Sequence, residues 1–293
     1  MNRRIFLTAF MGAPAVAALL AACGDNTVLP ADSTATPDTS AQGIPHPTGA
    51  DEVVIRIGYE GGFVMPATLF QRVPNLLVSG DGRAFQPGPQ PAIYPGQLLP
   101  ALTVRTIDEA GVQAVLELAR TGGLLAAAPD YSVPPDAPQV ADAPNTVVTI
   151  NANGTSYVHS AYALGIGGET TEATPARTAL LKFVTAMGDL ASVAGAAHVG
   201  TDAVFTPERY RVRAMPTDPA QFTDPAPTVL PWPADTGVTL ASASNCAVAE
   251  AAKVGEVLTN ANQLTFFTEK DASGAEVTYE LAAIAQLPGD EAC

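Results

Sequence analysis

Three pairs of short strand-like runs, each split by a glycine-bearing turn, most limit what this chain can fold into. Residues 75–79 and 83–85 flank Gly80-Asp81-Gly82. Residues 146–150 and 155–164 flank Asn151-Ala152-Asn153-Gly154, and residues 264–268 and 277–281 flank Asp271-Ala272-Ser273-Gly274. Asp-Gly and Asn-Gly supply the positive φ angles that a tight hairpin needs. Connections this short join antiparallel strands, because a parallel pair needs a long crossover. Residues 53–57, 102–105 and 210–213 add further strand runs.

Only two stretches carry a long helical period. In the first, Thr106 and Glu109 fit a capping box, Val112, Val115, Leu116 and Ala119 line one face, and Gly122-Gly123 closes it. In the second, Thr174-Pro175 opens the helix and Leu180, Val184, Met187 and Leu190 mark its apolar stripe, with Gly188 weakening its continuity. A shorter helical pattern covers 247–258. Hairpins interspersed with helices predict an α+β fold: antiparallel sheets built from hairpins, with two main helices packed on one face.

The N-terminus reads as an address. Arg3-Arg4-Ile5-Phe6-Leu7 is followed by an uncharged run over 9–20 and then Leu20-Ala21-Ala22-Cys23. A basic head, a short apolar core and small residues before a cleavage point make residues 1–22 a signal peptide. The run is shorter than the roughly 18–20 apolar residues of a bilayer crossing. The arginine pair resembles a twin-arginine signal, and Leu20-Ala21-Ala22-Cys23 resembles a bacterial lipobox. That resemblance implies lipidation at Cys23 and a place on the extracytoplasmic face of the cell membrane. Residues 23–50 read as a disordered tether rich in Thr, Ser, Asp, Pro, Ala and Gly, with His46 a bystander in it. The globular body is expected over 51–293, with 240–293 a C-terminal subdomain packed on it, since about 50 residues rarely hold a core alone.

The chain has 14 basic and 29 acidic residues; cleavage would remove Arg3 and Arg4, leaving 12 basic residues and a net charge of −17. Such a surface repels nucleic acid and anionic lipid headgroups, and suits general solubility first, then a basic partner, metal cations or a salty medium. With Cys23 assigned to lipid, Cys246 and Cys293 remain in an oxidising compartment and are expected to form a disulfide, the alternative being two free thiols.

No catalytic motif emerges. Gly-x-Ser-x-Gly, a Walker loop and His-Glu-x-x-His are all missing from the sequence. His46, His159 and His198 are scattered, and no metal or cofactor is implied. Glu169, Glu172 and Asp271 read as solvated turn acids, and Gly165-Ile166-Gly167-Gly168 as a turn. The better signals are two apolar loops: Phe63, Val64 and Met65 between a glycine pair and Pro66, and Tyr94 in a Pro-Gly loop over 87–100.

Tyr59-Glu60-Gly61-Gly62-Phe63, Gly80-Asp81-Gly82-Arg83, Ile93-Tyr94-Pro95-Gly96, Glu109-Ala110-Gly111-Val112-Gln113 and the Cys246…Cys293 ending carry a resemblance. In these residues the chain resembles lipoproteins of high-GC, actinobacterial-type bacteria that have no assigned function. More distantly, residues 53–164 resemble a bacterial secreted hairpin-helix-hairpin domain whose members often carry Cys-x-Gly-x-Cys-Pro near the first strand. The matching stretch here, Gly61 to Pro66, has no cysteine, so no redox or metal role transfers. The expected function is a lipid-anchored, non-catalytic binding or accessory module of the cell envelope, with an envelope protein or basic partner. The alternatives are an envelope hydrolase using carboxylates or His159, and a structural lipoprotein without a ligand.

Overall fold

The computed structural model describes residues 43–138, 140–168 and 174–293. The expected signal peptide, Cys23, the expected tether through residue 42, Glu169 and Glu172 lie outside the described residues.

The first sheet is built from β1 (Val53–Glu60), β2 (Leu76–Ser79), β3 (Arg83–Pro87), β4 (Leu102–Thr106), β5 (Asn145–Ala152), β6 (Thr155–Tyr162) and β7 (Ala203–Val204). Its spatial order is β6-β5-β1-β2-β3-β4-β7, antiparallel throughout. The β5–β6 turn places Asn153 at φ 54° and Gly154 at φ 69°, the left-handed pair that the Asn-Gly dipeptide favours. Alternation along β5 sends Val148, Ile150 and Ala152 to one face. There they join Ile55 and Ile57 against α2 (Glu109–Thr121), α3 (Pro175–Ala186) and α4 (Leu190–Ala194). Both main helices therefore sit on one face of an antiparallel sheet, an α+β fold.

The caps differ in detail. Thr106 stays in β4, paired with Arg83, and Asp108 caps α2 instead by accepting from the Gly111 N–H at 3.0 Å. Two residues separate the ladder from the helix, and the carboxylate is the side chain in reach. Thr174 caps α3 as expected, with Pro175 in the first turn. The helix ends at Ala186 and a new one starts at Leu190, so Gly188 marks a break.

The second sheet comprises β8 (Arg209–Pro216), β9 (Thr228–Pro231), β10 (Ala247–Glu250), β11 (Thr265–Lys270) and β12 (Glu276–Ala285), ordered β10-β8-β12-β11-β9. Only β9 against β11 is parallel. Residues 240–293 thus supply three of five strands in a sheet that starts at Arg209. The helical pattern over 247–258 divides in two. Ala247–Glu250 pairs with β8 as an edge strand, and α5 (Ala251–Asn260) follows. Alanine fits either state, and the open edge of β8 decides it. Val212, Leu281, Ala283 and Phe267 form a second core with Val254 and Leu258 of α5. Leu77, Phe85 and Leu102 join it from the first sheet, on the face away from α2. Cys246 and Cys293 are disulfide-bonded, with Cα atoms 5.1 Å apart.

The tether ends earlier than residue 50. Gln113 clamps Ile44, accepting from its N–H at 2.7 Å and donating to its carbonyl at 3.0 Å. The Asn153 N–H donates to Pro45 at 2.8 Å, and His46 Nε2 lies 3.2 Å from the Glu109 carboxylate. Ile44 also packs on the helix-side core, so residues 43–50 belong to the body. Among the described residues no helix is long and apolar enough to cross a membrane.

Candidate binding site

The second sheet covers β2–β4 but leaves the neighbouring part of the first sheet open on the same face. Arg56, Gly58, Val147 and Thr149 lie there, paired in register as Arg56 with Thr149 and Gly58 with Val147. One short helix, α1 (Pro66–Phe70), borders this floor and with it forms an open cavity of about 360 Å³. Leu69, Phe70, Val73 and Pro74 give it apolar walls, and Arg72 and Arg211 reach it from two sides.

The charges of this cavity are unevenly matched. Arg56 Nη1 donates to Asp290 Oδ1 at 3.0 Å. Arg211 Nη1 stands 3.9 Å from the other oxygen of the same carboxylate. The Arg211 guanidinium also lies 5.7 Å from the centre of the Phe70 ring, a cation–π contact. Its Nε is buried and makes no hydrogen bond. Among the described residues Arg72 donates to backbone alone, at 2.7 Å to the Gly61 carbonyl and 3.3 Å to that of Tyr59. With Glu60 on the wall and Asp290 beside it, three cations face two anions.

The apolar loop adjoins this cavity. Gly61 and Gly62 take φ of 67° and 80°, which turns the chain out of β1, and the Phe63 N–H donates to the backbone carbonyl of Asp142 at 3.3 Å. Phe63 is 87% exposed, Met65 70% and Val64 40%. Leu69, on the cavity wall, is also exposed, so apolar surface runs from the loop to the cavity mouth.

Tyr94 is likewise exposed, but its loop is fixed elsewhere. Gly96 exchanges hydrogen bonds with Gln263, and the Leu98 N–H donates to Ala261 at 3.1 Å. A link to α1 runs through Gln71, whose amide donates to the Leu98 carbonyl at 2.6 Å.

His159 is a core residue. It points from β6 to the helix side with no solvent access. Its Nε2 is 2.9 Å from the Leu124 carbonyl and its Nδ1 is 2.8 Å from the Tyr131 hydroxyl. A carbonyl only accepts, so in the neutral ring Nε2 carries the proton and Nδ1 accepts from Tyr131. Burial pushes the Tyr131 phenol above its ordinary value. Buried Arg177 fastens the same region, donating to the carbonyls of Tyr131 and Tyr162 at 2.9 and 3.0 Å. Among the described residues, this leaves His159 with its hydrogen-bonding groups committed inside the core.

The other histidines pair with acids at the start of α2. His198 Nδ1 lies 2.9 Å from Asp108 Oδ2, and His46 meets Glu109. The His198 hydrogen bond, then the Gly111 N–H, hold the Asp108 carboxyl below the usual carboxylate range. Among the described residues no group of three or more His, Cys, Asp or Glu is placed to hold a metal ion.

The loop is legible in the sequence, and the arginine cluster is not. Arg56, Arg72 and Arg211 come from distant segments, and only the sheet register brings them together. The one sequence trace is Arg56 itself, a charge inside the apolar run 53–57, on the face opposite Ile55 and Ile57. The chain matches no protein-family model, no curated protein and no solved structure.

Proposed function

We propose that this protein is a non-catalytic binding module of the bacterial cell envelope, held on the extracytoplasmic membrane face by lipid at Cys23 and acting through the end of the first sheet that carries residues 59–73. The observation that carries this reading is the exposed apolar loop at Phe63 and Met65. Large apolar side chains left in water by a body that buries two full cores are typical interface groups. The resemblance of Leu20-Ala21-Ala22-Cys23 to a lipobox and the short apolar run before it support the address. The described body begins at Gly43, about 20 residues beyond Cys23, and a tether of that length would give the module reach above the headgroups.

The test uses the full chain carrying Cys23→Ser, which removes the lipid, and an envelope fraction from cells lacking the protein. The chain is expected to sediment with the envelope, and Phe63→Ser with Met65→Ser to weaken this roughly tenfold or more. A folded chain that stays in the supernatant overturns the reading.

A further inference from the structure

The cavity under α1 is rich in arginine for so acidic a chain. The mature chain carries 12 basic residues against 29 acidic ones, yet three arginines line this one space. Bringing like charges together costs energy unless anions balance them. Asp290 and Glu60 supply two, so one positive charge is left over. Among the described residues, the uncommitted charge belongs to Arg72, whose bonds go to backbone carbonyls, and to Arg211, whose guanidinium head lines the cavity with its nearest carboxylate oxygen 3.9 Å away. Guanidinium groups match carboxylate and phosphate oxygens in pairs.

The walls and rim add a second requirement. Leu69, Phe70 and Val73 are apolar, and the exposed apolar surface runs outward to Phe63 and Met65. A ligand satisfying both has an anionic head and an apolar body. Space for it exists because β1 has glycine at 58: the face opposite Val147 there bears no side chain. A Cβ at Gly58 would meet only the Pro74 Cα at 3.7 Å, so the residue is not held to glycine by crowding.

We infer that this cavity binds the head of an anionic amphiphile, a carboxylate or phosphate monoester seated between Arg72 and Arg211, with its apolar chain lying along Leu69 toward Phe63 and Met65. The inference rests on the binding-module reading and names its ligand class.

The experiment is calorimetric titration of the full chain carrying Cys23→Ser with dodecyl phosphate below its micelle concentration, beside dodecanoate, dodecanol and inorganic phosphate. Saturable 1:1 binding of dodecyl phosphate or dodecanoate is expected, with at least about a tenfold loss of affinity in Arg211→Gln, Arg72→Gln and Gly58→Leu. Arg72→Gln and Gly58→Leu keep the test decisive if Arg211→Gln fails to fold. Dodecanol binding as tightly as dodecyl phosphate overturns the anion site, and inorganic phosphate binding as tightly overturns the amphiphile. Equal affinity in wild type, Arg72→Gln and Gly58→Leu overturns the location. Absence of amphiphile binding while envelope sedimentation persists overturns this inference alone. Loss of sedimentation in the wild type overturns the module reading instead.

Discussion

Arg56 in β1 donates to the carboxylate of Asp290, three residues from the C-terminus, at 3.0 Å, tying the first sheet to the tail that follows the second. The Asp290 side chain is only 7% exposed, and its other oxygen accepts from the Leu287 N–H at 2.9 Å. Asp290→Asn keeps the size and the Leu287 bond but leaves Arg56 and Arg211 without their shared anion. The expected loss of stability is about 1–3 kcal/mol, read by chemical denaturation. Dodecyl phosphate affinity is expected to rise in the same variant, because the cavity gains a second unbalanced cation.

The disulfide holds that tail in place. Cys246 and Cys293 are 47 residues apart, and closing such a loop in the unfolded chain is worth at most about 4 kcal/mol. Cys293→Ser and Cys246→Ser are expected to lower stability by a similar amount as each other. The double variant is expected to be no worse than either single one. Denaturation midpoints with and without reductant check this, and reductant is expected to affect only the wild type.

Tyr131→Phe removes the hydroxyl that satisfies His159 Nδ1 in the core. A buried acceptor without its donor costs about 1–3 kcal/mol. Binding to the envelope is expected to be unchanged, because His159 has no solvent access. A stable Tyr131→Phe protein with impaired binding would contradict the structural role given to this pair.

Asp108 gives a pH signature. Its carboxyl is held below the usual range in the folded chain, first by His198 and then by the Gly111 N–H. A depressed folded value stabilises above the unfolded carboxyl value of about 3.9, and the contribution fades as pH falls through the folded value. Asp108→Asn keeps a capping oxygen and removes only the charge. It is expected to melt below wild type at pH 7, with the gap closing as the pH drops below the unfolded carboxyl value and through the lower folded one. A gap that persists unchanged in acid would contradict the assignment.

The hairpins were legible because their turns demand particular residues: Gly80-Asp81-Gly82 and Asn153-Gly154 stand where the chain reverses. The two long helices were legible because Val112, Val115, Leu116 and Ala119, and again Leu180 and Met187, recur at helical spacing and are all buried. Other features left weaker traces. α1 is five residues long, too short to show a period, and only Pro66 marks its start. Ala247–Glu250 reads as helix because its strand state depends on the edge of β8. Residues 43–50 have tether composition, yet Gln113 binds Ile44 through its backbone, which composition does not record. The apolar half of the candidate site was visible as Phe63, Val64 and Met65. Its charged half was not, because Arg56, Arg72 and Arg211 meet only through the pairing of β1 with β5 and the approach of β8.

The most direct test of the binding end is hydrogen exchange on the full chain carrying Cys23→Ser, with and without the envelope fraction. Slowed exchange over residues 58–73 and 145–149, with α2 and the β11–β12 hairpin unchanged, is the predicted result. Protection confined to other segments, or no change anywhere while the chain sediments with the envelope, would contradict the account.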